Sequence, residues 1–444
     1  METMKTSSRP ESSAYQLLFK GLTLIPITSY MLIAFVVFMI FLYNLFEVHI
    51  IDDMFSGFRG NYVSLTFDSS SDLYREVVSK CHLLHGRYFS TLWLSSPHLQ
   101  TVLLNHLANT PKIIYKRELF HCSDGGTVAL DWLMNFDDTR YQVNGSKPVS
   151  KVVPVVIVVP GLTGHSESPY IKHIAYKMAK NGWNVVISNH RGLGGVPLTA
   201  DRVYTAGWTD DLREVVSHLR RSQPDTPLFA IGTSIGANIL VKYLGEDGVD
   251  VPFVGAAAIS NPWDLLMGDR FMARRVVQRF YNRVLANDCR NVAKLHPDVY
   301  ARIGDWEGIE KARSIGDFNN ATARIAGNFD TLDAFHRWAS SVRLVMNVKV
   351  PLLCINAIDD PVCTEEAIPF DECRKNKNIV LATTQHGGHL GFFEGMSGKN
   401  LWWARVVEEY FSVLHSSSFI NKNKMQQNFE VLPAETVKSM DLHP

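Results

Sequence analysis

The sequence is poor in cysteine and has no excess of either charge. Its 444 residues include six cysteines, and no two of them form a C-x-x-C pair. This argues against a zinc site and against a disulfide-dense scaffold. The 44 basic residues balance the 44 acidic ones, so no global field attracts nucleic acid. No internal repeat is visible, and 46% apolar residues can fill the core of one large domain.

Charge is also absent from a long segment near the N-terminus. No charged residue lies between Lys20 and Glu47. As a helix, residues 21–46 would reach roughly 39 Å, which exceeds a hydrocarbon core about 30 Å thick. A cleaved signal peptide is the alternative, but its apolar region would span only about 7–15 residues. We therefore predict one transmembrane signal-anchor helix over residues 21–46.

The charges that flank this segment predict its orientation. Three basic residues precede it, whereas only Arg59 follows within about 20 residues. The positive-inside rule then makes residues 1–20 a cytosolic tail and places the rest across the membrane. We expect a single-pass type II protein of the endoplasmic reticulum or another endomembrane. With that topology, two glycosylation sequons, at Asn144 and Asn320, become testable.

A glycine-flanked serine follows an apolar run in the middle of the chain. Residues 228–231 are apolar, residues 232–236 read Gly-Thr-Ser-Ile-Gly, and a helix-compatible segment begins at once. This is the strand–turn–helix context that a nucleophile elbow needs. Gly232 and Gly236 leave out Cβ atoms where strand and helix crowd together, and the strained turn exposes the Ser234 hydroxyl. The Ile235 N–H then points at an oxyanion formed beside Ser234. A glycine-rich turn with an incidental serine is the alternative.

Strand-like runs surround this elbow. Two of them, at residues 112–120 and 127–132, predict an antiparallel entry to a sheet, and residues 151–159 form a continuous β-branched run typical of a strand buried on both faces. Further runs at 183–188, 251–259, 350–356 and 378–382 alternate with helical segments. Between residues 261 and 343 the strand pattern stops, which predicts a helical lid over the site.

Three arginines in this lid segment follow one another at four-residue steps. Arg275, Arg279 and Arg283 would lie on one face of a helix. They form either a rim that attracts phosphate or an ordinary solvated face. Outside the catalytic domain, residues 47–87 read as a membrane-proximal connector, and residues 416–444 are predicted to be disordered.

An acid and a histidine follow the last two predicted strands. The order Ser234, Asp360, His389 is the one expected of an α/β-hydrolase. His389 would take the Ser234 proton, the aspartate would orient the imidazole, and the Leu162 N–H in the loop after the third strand would complete the oxyanion hole with Ile235. From the residues alone, Asp359 competes with Asp360, and His386 competes with His389.

Segments 232–238, 356–361 and 388–392 together resemble one branch of the α/β-hydrolases. This branch contains the membrane-anchored α/β-hydrolase domain-containing proteins 1 and 3, bacterial esterases and fungal medium-chain ester synthases and hydrolases. The resemblance runs from about residue 88 to 414. It implies Asp360, the aspartate before proline, as the acid of the triad. It also implies cleavage of acyl esters of phosphatidylcholines with medium-length or oxidatively truncated chains. The H-x-x-x-x-D acyltransferase pattern of some relatives is absent, because Glu394 replaces the aspartate.

The predicted fold is an α/β-hydrolase fold with a mostly parallel eight-stranded sheet, helices on both faces and a helical lid, spanning residues 88–415. The predicted function is that of a membrane-anchored serine hydrolase that cleaves phospholipid or other lipid esters through an acyl-serine. We expect no metal and no organic cofactor, because side chains and backbone donors complete the chemistry. Acyl transfer to a small alcohol and a non-catalytic membrane scaffold remain alternatives.

Overall fold

The computed structural model describes residues 14–46, 50–107, 110–136 and 152–419. The chain divides into two compact units, Met1–His49 and Ile50–Pro444. The sequon at Asn144 and the tail beyond residue 419, which includes most of the segment predicted to be disordered, lie outside the described residues.

Two helices make up the described part of the first unit. Helix α1 is Ala14–Thr23 and helix α2 is Ile27–Phe46, and their axes are bent by 92°. Pro26 stands in the break, where it lacks an N–H and disfavours the helical conformation of Ile25. The predicted single helix over residues 21–46 is therefore wrong, because that segment is divided between two helices. No single helix in the described ranges meets the length and hydropathy expected of a membrane span; α1 and α2 meet them only as a bent pair.

A nine-stranded sheet forms the centre of the second unit. Its order is β1-β9-β8-β7-β6-β4-β5-β3-β2. Strands β4 to β9 are parallel, and β1, β2 and β3 are antiparallel at the two edges. The mostly parallel α/β sheet is thus confirmed. The strands are β1 Ser64–Phe67, β2 Lys116–His121, β3 Thr127–Leu133, β4 Val155–Val159, β5 Asn184–Ser188, β6 Leu228–Thr233, β7 Phe253–Ile259, β8 Leu352–Ala357 and β9 Ile379–Thr384.

The strand count differs from the predicted eight because of β1. This strand lies within residues 47–87 and pairs with β9, Leu65 standing opposite Ala382. It is short, and its residues are exposed or half-buried, as is typical of an edge strand. It therefore lacks the continuous apolar run that marks the central strands. Part of the predicted connector is consequently part of the catalytic sheet.

Helices cover both faces of the sheet. In β4, Val156 and Val158 pack in one core with helices α6 (Pro169–Lys180) and α17 (Trp402–Ser416). Val155 and Ile157 pack in the other core with α7 (Asp210–Ser222) and α8 (Ile235–Asp247). All five β4 residues are buried, which explains the unbroken β-branched run. The helices outside the lid are α3 Ile50–Arg59, α4 Asp72–Glu76, α5 Pro97–Leu107, α6 Pro169–Lys180, α7 Asp210–Ser222, α8 Ile235–Asp247, α16 Phe370–Lys375 and α17 Trp402–Ser416.

Between β7 and β8 the chain leaves the sheet and forms the helical segment that we call the lid. The described residues 265–339 hold seven helices there. They are α9 Leu265–Arg274, α10 Val276–Leu295, α11 Pro297–Ile303, α12 Trp306–Lys311, α13 Ile315–Ala321, α14 Ala323–Ala326 and α15 Leu332–Ala339. The described residues also contain two short antiparallel pairings, Asn61–Tyr62 with Arg87–Tyr88 and Phe393–Glu394 with Asn400–Leu401, and an isolated bridge between Ser90 and Glu394.

Candidate active site

Ser234 occupies a sharp turn between β6 and α8. Its backbone has φ 52° and ψ −123°, a conformation that L-residues adopt at a cost and that structures retain at functional sites. A Cβ on Gly232 would lie 2.6 Å from the Cα of Ala237, and one on Gly236 would lie 2.3 Å from the carbonyl oxygen of Pro160. Both glycines are therefore needed for the close approach of strand, turn and helix.

The side chains of the predicted triad are in hydrogen-bonding contact. The distance from Ser234 Oγ to His389 Nε2 is 2.8 Å, and the distance from His389 Nδ1 to Asp360 Oδ2 is 2.9 Å. The second carboxylate oxygen, Asp360 Oδ1, accepts from the N–H groups of Val362 and Cys363 at 2.8 and 2.9 Å. The carboxylate is fully buried. With Nδ1 protonated and bonded to Asp360, Nε2 is left as an acceptor for the serine proton.

The neighbouring carboxylate and imidazole form a separate pair. Asp359 Oδ2 lies 3.1 Å from His386 Nδ1, and Asp359 Oδ1 accepts from the Gly388 N–H at 3.0 Å. Burial raises the pKa of Asp359, although its hydrogen bond with His386 acts in the opposite direction. Burial also opposes charge on His386, but the hydrogen bond to Asp359 and the negative charge of that carboxylate together outweigh burial and raise the His386 pKa. Asp359 and His386 thus support the loop that carries His389 and do not contact Ser234.

Two backbone N–H groups are available beside Ser234 for an oxyanion. Ile235 begins helix α8 directly after the nucleophile, and Leu162 lies in the loop after β4, which we call the oxyanion loop (residues 160–166). Both residues line the same cavity as Ser234 and His389. In the part of the chain that the structure describes, neither N–H donates a hydrogen bond. Unpaired donors aimed at a developing negative charge are what acyl transfer requires.

Two tyrosine hydroxyls hold the oxyanion loop on either side of Leu162. The Gly161 N–H donates to Tyr170 Oη, and the Thr163 N–H donates to Tyr204 Oη, each at 3.1 Å. Thr163 itself has a positive φ of 55°. Because the flanking amides are occupied, the Leu162 N–H is the donor that the loop leaves for substrate. Neither tyrosine carries a sequence pattern that marks this role.

A buried histidine in the segment after β5 supports the same loop. His190 Nε2 donates to the carbonyl oxygen of Pro160 at 2.9 Å, and the His190 ring stacks on Tyr204 with centroids 4.3 Å apart. Burial lowers the pKa of His190, so the neutral ring that can stack and donate is favoured. His190 thus fixes the carbonyl oxygen of Pro160, two residues before Leu162.

The far end of the loop is tied to a buried carboxylate. Asp131 on β3 accepts from Ser166 Oγ at 2.6 Å, from Asn189 Nδ2 at 2.9 Å and from both ends of the Arg117 fork. Burial acts to raise the Asp131 pKa, but the hydrogen bonds from Arg117, Ser166 and Asn189 and the charge of Arg117 together outweigh burial and lower that pKa. The negative charge is therefore retained in the core and fixes the position of residue 166.

A cavity of about 160 Å³ opens from Ser234 and His389 beneath the lid. Its walls combine the elbow, the oxyanion loop and the inner faces of lid helices α9, α10 and α13. Most of the wall is apolar, with contributions from Val203, Leu265, Met272, Leu285, Ile315 and Phe318. The segment predicted as a lid therefore supplies much of the wall of the substrate cavity.

One further side chain lies against the triad. Cys363 Sγ is 3.6 Å from His389 Nδ1 and donates to the carbonyl oxygen of Ser260 at 3.4 Å. Sulfur, the Asp360 carboxylate and the His389 imidazole lie close enough to hold a metal ion. The same carboxylate and imidazole already bond to each other as acid and base, so the arrangement is that of a hydrolase triad. Burial raises the Cys363 pKa well above its ordinary range, which keeps the thiol neutral.

Comparison with known proteins agrees with this geometry. The family model described as serine aminopeptidase, S33, matches residues 150–395, a range that contains all three triad residues. The embryogenesis-associated protein EMB8 of Picea glauca is 34% identical over 77% of this chain and 76% of its own length. Phospholipase ABHD3 of Mus musculus is 32% identical over 72% of this chain and 77% of its own. A monoacylglycerol lipase of Saccharomyces cerevisiae is 26% identical over 72% of this chain and 79% of its own.

Three observations identify the family of this chain. The family model matches more than half of the chain, ABHD3 is similar over most of it, and Ser234, His389 and Asp360 form a triad. The chain belongs to the α/β-hydrolase family, in an ABHD3-like branch, and is a serine ester hydrolase.

Proposed function

We propose that this protein hydrolyses acyl esters of glycerophospholipids, foremost phosphatidylcholines with medium-length or oxidatively truncated acyl chains. The observation that carries the proposal is the opening of the Ser234–His389 pair into a largely apolar cavity beneath a helical lid. Apolar walls favour an acyl chain over a charged or peptide group. Relatives named as a phospholipase and a monoacylglycerol lipase support a lipid ester as substrate.

Side chains of the cavity wall suit both the acyl chain and the choline headgroup of this substrate. Phe318 and Tyr300 are bulky and buried, and they limit the room for an acyl chain. Asp269 is the acidic side chain among the described wall residues, and burial raises its pKa. A partly desolvated carboxylate gains from a cationic neighbour, so the trimethylammonium of choline is a favourable partner for it.

The triad performs the reaction in two acyl-transfer steps. His389 Nε2 takes the Ser234 proton as Oγ attacks the ester carbonyl, and the Leu162 and Ile235 N–H groups stabilise the oxyanion. The C–O bond to the glycerol oxygen then breaks, and His389 gives the proton to that leaving alcohol. Water attacks the acyl-serine with the same assistance, releases the fatty acid and restores the Ser234 hydroxyl.

Location at a membrane completes the proposal. The apolar side chains of α2 are exposed over most of Ile27–Tyr43, and α1 with α2 has the combined length and composition of a bent span. Such a pair holds the enzyme at the bilayer, where lipid substrate is present at high effective concentration. The proposed arrangement is type II, with the N-terminus in the cytosol and the enzyme in the endoplasmic reticulum or another endomembrane.

The proposal is tested by lipid turnover in membranes that carry the wild-type chain or Ser234→Ala, with the exposed Ser222→Ala as a matched control. Loss of the nucleophile lowers the rate on the order of 10⁶-fold in triad enzymes. We expect short- and medium-chain phosphatidylcholines to accumulate with Ser234→Ala only, and a fluorophosphonate probe to label both other proteins. Unchanged phospholipids alongside altered neutral lipids or small esters would refute the phospholipid substrate. Formation of ethyl esters in place of free acid on addition of ethanol would identify a transferase.

A further inference from the structure

We propose that the outer face of lid helix α10 docks on the headgroup region of an anionic lipid bilayer. This docking face consists of Val276, Arg279, Phe280, Arg283 and Val284. The proposal goes beyond the proposed hydrolysis, because it concerns where the lid binds and does not depend on which ester is cleaved. It rests on the exposure, the spacing and the charge of these five side chains.

The apolar residues of the docking face are exposed at helical spacing. Val276, Phe280 and Val284 are 40%, 59% and 41% exposed, and each lies four residues from the next in α10. Residues four apart lie on one side of a helix, so the three form a continuous stripe. An ordinary solvated face would carry polar residues along this line, and an exposed apolar stripe rimmed by charge marks an interaction surface.

Arginines run beside the apolar stripe. Arg279 and Arg283 are exposed, and among the described residues their guanidinium groups make no ion pair or hydrogen bond. Three other lid arginines are matched to acids: Arg270 and Arg337 pair with Asp333, and Arg302 pairs with Asp201. Unmatched cations beside an apolar stripe suit the anionic headgroups and acyl boundary of a bilayer. A second copy would bring like-charged rows together, which costs free energy.

The opposite side of the same helix forms the substrate cavity. Asn282 and Leu285 line the cavity that contains Ser234, and Tyr281 Oη lies 3.1 Å from His98 Nδ1 on α5. The docking face and the cavity wall are therefore two sides of a single helix. Docking through α10 would bring the covering of the active site against the surface from which a lipid must leave the bilayer.

A fluorophore on the docking face tests the proposal. The six native cysteines are all buried, so a cysteine introduced at the surface can be labelled selectively with an NBD group. The full-length chain carrying Ser234→Ala and Val284→Cys is reconstituted in vesicles of phosphatidylcholine alone or mixed with phosphatidylserine. Ser222→Cys is the matched control. Ser222 ends α7, shortly before β6 begins, whereas Ser234 follows the last residue of β6. Ser234→Ala prevents hydrolysis of the vesicles, so the readout is independent of turnover.

We expect blue-shifted, brighter emission from the label at position 284 in phosphatidylserine vesicles only, and no change from the label at 222. Adding Arg279→Gln and Arg283→Gln should lower the ratio of docked to free label about 25-fold, because each basic residue near an anionic surface contributes roughly fivefold. High salt should act in the same direction, since it screens surface charge. Equal spectra from the labels at 284 and 222 would overturn the proposal. So would a response at 284 that is the same with and without phosphatidylserine and with and without the two arginines. Concentration-dependent self-quenching of the 284 label would overturn it in favour of a second copy of the chain.

Discussion

Replacing Tyr170 by phenylalanine tests how the oxyanion loop is held. Tyr170 is buried, and its hydroxyl accepts the Gly161 N–H at 3.1 Å. The phenylalanine keeps the ring but removes the acceptor, so the buried Gly161 N–H loses its partner. An unsatisfied buried donor costs about 1–3 kcal/mol, and the loop relieves this cost by moving. Such a movement would turn the neighbouring Leu162 N–H away from the oxyanion.

The size of the effect follows from the contacts that remain. Complete loss of one oxyanion donor lowers kcat by about 10²–10³. In Tyr170→Phe the bonds from Thr163 to Tyr204 and from His190 to Pro160 still restrain the loop. We therefore expect kcat to fall by about tenfold, equivalent to ~1.4 kcal/mol in the barrier. KM should change less than about threefold, because Tyr170 is absent from the described cavity wall.

The assay is steady-state hydrolysis of a short soluble ester, well below the unfolding temperature, with Tyr176→Phe as control. Tyr176 lies on the same helix, is 36% exposed and contacts the Phe136 ring. Its substitution should leave kcat unchanged. A folded Tyr170→Phe enzyme with kcat within about twofold of wild type would show that the Tyr170 hydroxyl does not position the oxyanion donor. A change confined to KM would also contradict the reasoning.

The remaining predictions concern the acids and a buried histidine. Asp360→Asn should lower kcat by about 10⁴, whereas Asp359→Asn should lower the unfolding temperature but keep kcat within about tenfold; the opposite ranking would reassign the acid. Burial holds the pKa of His190 below 6.5, so below pH 6.5 the unfolded chain binds more protons, and stability falls as pH falls towards the folded pKa. The loss is at most about 1.4 kcal/mol per pH unit. His190→Gln should show a smaller drop in unfolding temperature on acidification, and an equal drop in both proteins would contradict this assignment.

The central sheet and the triad order could be predicted because their signals are local. A strand buried on both faces must be apolar at every position, as Val155–Val159 is, and the elbow needs glycines at fixed offsets from Ser234. The choice between adjacent aspartates could not be made from the residues alone. It depends on backbone direction in one loop, where the N–H groups of Val362 and Cys363 turn Asp360 towards His389. The family resemblance supplied the assignment that the contacts then explained.

Edge and supporting elements escaped prediction for a different reason. Strand Ser64–Phe67 is stabilised by pairing with the last strand of the sheet, more than 300 residues later in the chain, and its half-exposed residues carry no pattern of their own. Tyr170 and Tyr204 likewise carry no local pattern. They matter because their hydroxyls accept hydrogen bonds from the N–H groups of the oxyanion loop. The break between the N-terminal helices did have a local signal in Pro26, which the length of the uncharged run outweighed.

The lid shows that the arginine spacing in α10 can be interpreted only together with the packing of that helix. The four-residue spacing of Arg275, Arg279 and Arg283 is compatible with a solvated face or with a binding rim, because spacing only establishes a shared side of a helix. Packing favours the binding rim, because it buries one side of α10 over the cavity and leaves Phe280 on the other side beside Arg279 and Arg283. An apolar stripe next to the unmatched Arg279 and Arg283 is costly in water and favourable at an anionic interface. The cavity lies beneath this helix. The twenty residues of α10 would therefore control both binding at the lipid interface and access of the lipid to Ser234.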